Sequence, residues 1–353
     1  MFLESTCATL GCRSEEFWSI YDSDKLAADV LSNEILTNVI AANHERLRVA
    51  EHRYRLDDLL TGMVIHAPHP LGQRYAAVSL HIAHEKGEDT VINLATAWME
   101  QLFLPIMAIS RILNTKPNSS RSPEPEAWNF RKELSKREEH RCAFTGAFDV
   151  YRRQALYEHG REAEVPDGCF YATRAATHII PRSLNDFSGK GTDLEIGVAA
   201  YTCDLDILQS WTQIDLQPLA GSGINSASNG IFMSTMAHET FRTFQLYLDK
   251  DTYPTNPNKY RLRTIRPAIL ATGKEEVDIE FRSLAQSGVD PPNPALLSAH
   301  AAIAKVLNLC GAGRYVEKVE RDAEDCGILR EDGETDVAIL LMNRLAWRHV
   351  SQV

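Results

Sequence analysis

Residues 114–127 read NTKPNSSRSPEPEA, and no stretch constrains the folding of this 353-residue chain more. Three prolines and three serines supply little apolar surface, and proline removes backbone donors, so the segment is expected to be an exposed linker. The chain then divides into a helical region over 1–113, the linker over 114–127, a separate domain over 128–270 and a helical segment over 271–353.

The first region reads as helix. Leu31, Ile35 and Val39, flanked by Leu36 and Ile40, form an apolar stripe at helical spacing, and Ser23 or Asp24 suits its N-cap. Thr90 to Leu113 predicts a second long helix, bent or broken before Pro105. Met63-Val64-Ile65 reads as a short strand. Beyond the linker, short apolar runs and many glycines give way to a helix near 235–249. Pro291-Pro292-Asn293-Pro294 then precedes a helix over Leu296 to Leu309 that Gly311 and Gly313 end, and a last helix is expected near 336–349. Val91 to Leu113 is apolar enough to suggest a membrane span. Glu100, Gln101 and Pro105 within it make a buried, kinked helix the cheaper solution, so no membrane partner is expected.

Composition narrows the class. Seven cysteines without a CxxC spacing argue against a disulfide scaffold or zinc ribbon and for a reducing compartment, so an intracellular protein of cytoplasm or nucleus is expected. Met1-Phe2-Leu3-Glu4-Ser5-Thr6 lacks the order of a secretory signal. The formal net charge of −11 is ill suited to a phosphate-rich partner, but 17 basic and 17 acidic residues balance between 128 and 270. The negative excess lies in the flanks, and the neutral middle permits contact with nucleic acid.

Three segments of that middle carry chemistry. Arg137-Glu138-Glu139-His140-Arg141-Cys142-Ala143-Phe144-Thr145-Gly146 runs from a basic helix end into a short strand and a tight turn. Ala175-Ala176-Thr177-His178-Ile179-Ile180-Pro181 places a histidine in a β-type run that Pro181 stops. Asn229-Gly230-Ile231-Phe232-Met233-Ser234-Thr235-Met236-Ala237-His238 gives a polar turn, a short strand and a helix capped by Ser234 or Thr235 that carries His238 in its first turns. A lone histidine in such a strand is more often a satisfied core residue than a reactive one. The order of strand His, Asn, and helix His nine positions after the Asn is more specific.

These segments resemble the HNH, or ββα-metal (His-Me finger), nucleases, in the fungal form with a long insertion between the first His and the Asn. The resemblance covers roughly 130–270 and implies an α+β fold: a ββα core with an insertion, flanked by helical segments. It implies a metal-dependent endonuclease hydrolysing phosphodiester bonds of DNA. His178 would be the general base that activates water, and His238 a metal ligand. Asn229 would either ligate the metal or lock the loop that presents His178. One divalent cation would serve as Lewis acid, magnesium foremost, with manganese or zinc as alternatives. The products would carry 5′-phosphate and 3′-hydroxyl ends.

Two positions depart from the pattern. Thr177 stands where many relatives carry a metal-binding Asp or His. Arg242 stands where many carry an acid or histidine four places after the helix His; a cation there repels a metal but suits a phosphate. Lys259, Arg261, Arg263 and Arg266 form a basic run without an internal acid, either a phosphate-contacting surface or a solvated charged face. Arg131, Lys132, Lys136, Arg137 and Arg141 pose the same choice, with Glu133, Glu138 and Glu139 among them. Cys142, Cys169 and Cys203 with His178 could be imagined as a zinc set, but their irregular spacing favours structural thiols. Asp204 and Asp206 could supply a missing carboxylate, though capping a helix that runs into Leu208 and Trp211 suits them better. The alternative function is a catalytically inactive HNH-fold module that binds nucleic acid or protein.

Overall fold

Alternation with a period of two marks the strands over 246–249 and 259–264, and spacing of three to four residues marks the helices. The computed structural model describes residues 3–22, 38–40, 47, 54–107, 125–181, 205–250, 252–265, 277–315 and 317. Its helices are α1 (Glu4–Leu10), α2 (Ser14–Tyr21), α3 (Leu56–Ile65), α4 (Pro70–Lys86), α5 (Glu88–Trp98), α6 (Pro125–Arg137), α7 (Val150–Glu158), α8 (Leu205–Thr212), α9 (Thr235–Arg242), α10 (Leu284–Ser287) and α11 (Pro294–Cys310). The strands are β1 (Phe148–Asp149), β2 (Tyr171–Ala172), β3 (Arg174–His178), β4 (Gly230–Ser234), β5 (Leu246–Asp249), β6 (Lys259–Thr264) and β7 (Val277–Glu280). The class is α+β. By internal contacts the chain forms two units: Met1–Pro117, Phe187–Asp215 and Ala302–Val353 make the first, Asn118–Asp186 and Leu216–Ala301 the second. Leu31, Ile35 and Leu36, both proposed caps at 23 and 24, residues 108–113, most of the linker, Cys203, Asp204, Arg266 and the helix expected near 336–349 lie outside the described residues.

The first unit is helical. Leu56, Leu59, Leu60 and Met63 repeat at helical spacing and are all buried on α3. Met63-Val64-Ile65 is therefore the last turn of a helix and not a strand; the four-residue spacing outweighs three β-favouring side chains. After α5 the helix does not break. It widens into a π turn over Met99–Phe103 and continues through Pro105, whose ring and missing N–H do not fit the regular ladder. Tyr75 lies against Trp98, and Phe103 meets Trp211 edge-on with centroids 5.9 Å apart. The Trp211 indole donates to the Met63 carbonyl at 2.8 Å. α8 runs through buried Leu208 and Trp211 as expected. Among the described residues no helix is long and apolar enough to cross a membrane.

The second unit holds three small sheets. β1 and β2 pair in parallel, β3 and β4 antiparallel, and β5-β6-β7 form an antiparallel sheet. Both faces of β4 are buried along its length. One face meets α6: Phe130 and Leu134 cluster with Phe232 and Ala227, and Ala176 packs against them. α9 follows β4 directly and packs on both strands of the hairpin. Ser234 caps it as expected, its Oγ accepting from Ala237 N–H at 3.3 Å. The helix expected over 235–249 ends at Arg242. Phe244 takes a left-handed conformation (φ 59°), and the chain leaves as β5, with Leu246 and Leu248 buried in alternation. α11 starts at Pro294, and Gly311 (φ 79°) ends it.

Candidate active site

The register of the β3–β4 hairpin fixes where the predicted residues lie. Thr177 pairs with Ile231 and His178 with Gly230, so the two neighbours point to opposite faces. His178 takes the face that α6 covers. Phe130 stacks on its ring, centroids 4.3 Å apart and planes within 10°. A side chain at 230 would intrude there: a Cβ on Gly230 would come within 2.5 Å of the Phe130 ring. His178 Nε2 lies 3.0 Å from Asn225 Oδ1. With an amide oxygen as acceptor, Nε2 carries the proton and the basic lone pair sits on Nδ1.

Asn229 is wholly buried in the turn that leads into β4. Its Oδ1 accepts from Ile180 N–H at 2.9 Å, and its Nδ2 donates to the carbonyls of Ile180 at 3.1 Å and Ile224 at 3.0 Å. The Asn229 carbonyl also accepts from Ile179 N–H. One side chain thus closes the segment after His178 onto the segment that carries Asn225. Of the two roles open to Asn229, this geometry supports the lock: the amide oxygen is spent on backbone and has no exposed surface to offer a cation.

A second clamp was not foreseen in the sequence. Arg137, one of the proposed phosphate contacts, is instead the most buried cation among the described residues of the unit. Its guanidinium donates to the carbonyls of Ala227 (2.8 Å), Asp290 (2.8 Å) and Gly230 (2.6 Å), and its Nε to Glu138 (2.7 Å). Burial pushes the Glu138 carboxyl up to about 7, and Arg137 only partly offsets this. The spacing Phe130, Leu134, Arg137 along one helix face is the only sequence signal of this role. Asn225 and Phe130 left no signal beyond being polar and apolar.

His238 rides half-buried on α9. Burial, then the nearby Arg242 charge, holds its pKa below the usual imidazole value, against a smaller opposing effect of Glu239. Its ring is therefore neutral and able to donate a lone pair at neutral pH. Arg242 is gripped by Glu239 through two bonds, Nη2–Oε1 at 2.6 Å and Nε–Oε2 at 2.8 Å, which moderates the charge beside His238. Thr177 Oγ1 is buried with no hydrogen-bond partner among the described residues. Lys259, Arg261 and Arg263 alternate along β6 with buried Tyr260 and Leu262. Carboxylates of the adjacent strands face all three: Asp278 lies 3.6 Å from Lys259 and 2.6 Å from Arg261, and Asp249 lies 3.4 Å from Arg263. The run lacks acids in sequence but not in space.

The donor set bears on the expected cation. Among the described residues no three of His, Cys, Asp and Glu converge into a metal nest. Cys142 Sγ accepts from Thr145 and Ser234 N–H, and Cys169 donates to the Pro166 carbonyl, so these two thiols serve the backbone and not a zinc ion. His238 offers a half-buried imidazole, and the Thr177 hydroxyl is one of the buried oxygens left without a hydrogen-bond partner among the described residues. One imidazole falls short of the four ligands of a closed zinc site.

Residues 142–249 match the family model described as HNH endonuclease. The match runs from the Cys142 turn to the last residue of β5 and encloses His178, Asn229 and His238. Over this segment, less than half of the chain, the sequence is similar to the HNH endonuclease family, which points to a function of nuclease type. The chain has no match among curated proteins, and no solved structure matches it.

Proposed function

We propose that the chain is an endonuclease that hydrolyses phosphodiester bonds of DNA, with the β3–β4 hairpin and α9 as its ββα core and His178 as general base. The observation that carries this reading is the Asn229 lock, which fixes the segment behind His178 while Asn225 orients its ring. His178 Nδ1 takes a proton from water as the water oxygen attacks phosphorus. The bond from phosphorus to the 3′-oxygen breaks, that oxygen takes a proton from solvent, and the ends are 5′-phosphate and 3′-hydroxyl. A divalent cation, magnesium foremost, with manganese and zinc as alternatives, would be held by His238 and would supply Lewis-acid stabilisation of the phosphate. Arg242 would hold a phosphate oxygen by exchanging it for Glu239. Lys259, Arg261 and Arg263 contribute less, because Asp249 and Asp278 already neutralise them.

The test is nicking of supercoiled plasmid by wild type and His178→Ala, with magnesium or manganese and with EDTA. The expected result is nicking that EDTA and the substitution each abolish. Nicking unchanged by both would be a contaminant's and would overturn the reading. A pure wild type that binds DNA in a salt-dependent way yet never nicks would replace it with a binding module.

A further inference from the structure

Ahead of β3 the chain exposes aromatic rings that folded domains usually hide. Phe170 is 82% exposed, Tyr151 60%, Tyr157 49% and Tyr171 40%. Local structure gathers several of them. Phe148 N–H donates to the Phe170 carbonyl at 2.7 Å, and the parallel pairing of β1 with β2 sets Phe148 opposite Tyr171. α7 leaves β1 without a loop, and Asp149 caps it through Tyr151 N–H. This brings Arg153 over two tyrosines, its guanidinium carbon 4.3 Å from the Tyr171 ring centre and 5.3 Å from that of Tyr157. Tyr157, Arg153 and Tyr171 therefore form one continuous layer, with Phe170 beside it in the chain.

The charge on this layer points to its partner. Among the described residues the Arg152 charge acts on the Glu164 carboxylate that Arg161 grips, while Arg153 Nε is buried without a hydrogen-bond partner. The acids close by are engaged: Asp149 in the cap, Glu158 by Gln154, and Glu164 by Arg161. An apolar protein partner would leave that cation buried and uncompensated. A polynucleotide offers both complements, a flat π face for each ring and a phosphate for each guanidinium.

We propose that Tyr157, Arg153, Tyr171 and Phe170 form a stacking platform for unpaired nucleobases, with Arg152 and Arg153 holding the flanking phosphates. The platform rests on the nuclease reading only in taking a polynucleotide as partner. Base faces are hidden in a duplex, so the protein prefers a single-stranded or splayed segment.

Fluorescence anisotropy of the full chain, in EDTA to prevent cleavage, tests this with a labelled oligothymidylate and a labelled duplex of equal length. The single strand is expected to bind more tightly. Phe170→Ala and Tyr171→Ala should each weaken single-strand binding by roughly 5- to 150-fold, leave duplex binding unchanged, and Phe170→Trp should restore it. Arg153→Gln should flatten the salt dependence. Equal affinity for the two probes would overturn the platform, as would alanine variants within about twofold of wild type; the latter is also the result if a protein covers the rings. His178→Ala separates the two readings, since it removes hydrolysis and leaves this binding intact. Binding without hydrolysis in wild type would sink the nuclease and keep the platform; hydrolysis with unaltered binding in the alanine variants would do the reverse.

Discussion

Arg137 donates to the carbonyls two residues before and one residue after Asn229, so one guanidinium brackets the residue that locks the segment behind His178. The turn over 225–230 is held from its backbone by Arg137 and through the Asn229 side chain by Ile180 and Ile224. Buried polar groups of this kind contribute little while satisfied and cost much when one partner is lost.

Asn229→Asp replaces two donated bonds by a carboxylate facing the Ile180 and Ile224 carbonyls. Urea denaturation near neutral pH should show a loss of about 3 kcal/mol or more, and plasmid nicking should fall with it. A variant as stable as wild type would show that the amide is not a lock.

Glu138→Gln probes the carboxyl that burial raises to about 7. A folded pKa above the unfolded value means that the stability present below the unfolded pKa is lost as pH rises toward and through 7. Glutamine keeps an acceptor for Arg137 Nε and does not ionise. The variant should match wild type near pH 4 and exceed it at pH 8, by at most about 3 kcal/mol. Parallel pH–stability curves would contradict this.

Gly72→Ala and Gly230→Ala should differ in severity. A Cβ on Gly72 would stand 1.7 Å from the Trp211 carbonyl oxygen, which is backbone and cannot rotate aside. A Cβ on Gly230 meets the Phe130 ring and a Leu134 methyl, which can shift by repacking. Thermal melts should place Gly230→Ala about 1–3 kcal/mol below wild type and Gly72→Ala lower still. The reverse ranking would contradict the close approach of α4 to the α8 backbone.

His300 sits wholly buried between Phe241 and Phe244, with centroids 3.7 Å and 4.9 Å away, and donates from Nε2 to the Phe241 carbonyl at 2.9 Å. Burial lowers its pKa to about 4. Between that value and the unfolded one the unfolded chain binds more protons, so stability falls as pH drops from about 6.5 toward 4, by about 3 kcal/mol in all. His300→Phe keeps the stack, loses the hydrogen bond and cannot titrate. It should be about 1 kcal/mol less stable at pH 7 and more stable than wild type near pH 4.5. Urea midpoints across that range check the crossing.

The order of the candidate residues is more legible in the sequence than the contacts that hold them. His178, Asn229 and His238 stand out because their order and spacing survive a long insertion, and α9 with its Ser234 cap follows from local rules. Arg137 was misread because a buried arginine and a solvated one look alike in a run with Glu138 and Glu139. The β6 cations were read without their carboxylates because Asp249 and Asp278 belong to neighbouring strands, and strand pairing is non-local. Met63-Val64-Ile65 misled through composition, since three residues cannot display a period. Phe244 ended a helix that the apolar pattern alone would have extended.

The second unit is assembled from Asn118–Asp186 and Leu216–Ala301, while Phe187–Asp215 and the last residues of the chain are claimed by the first. During synthesis neither unit can close until the final third has left the ribosome, so nascent chains stay exposed to proteases and chaperones for most of translation. Cloning 128–270 alone would strip β7 from β6 and His300 from Phe241, leaving a raw sheet edge and an emptied ring stack.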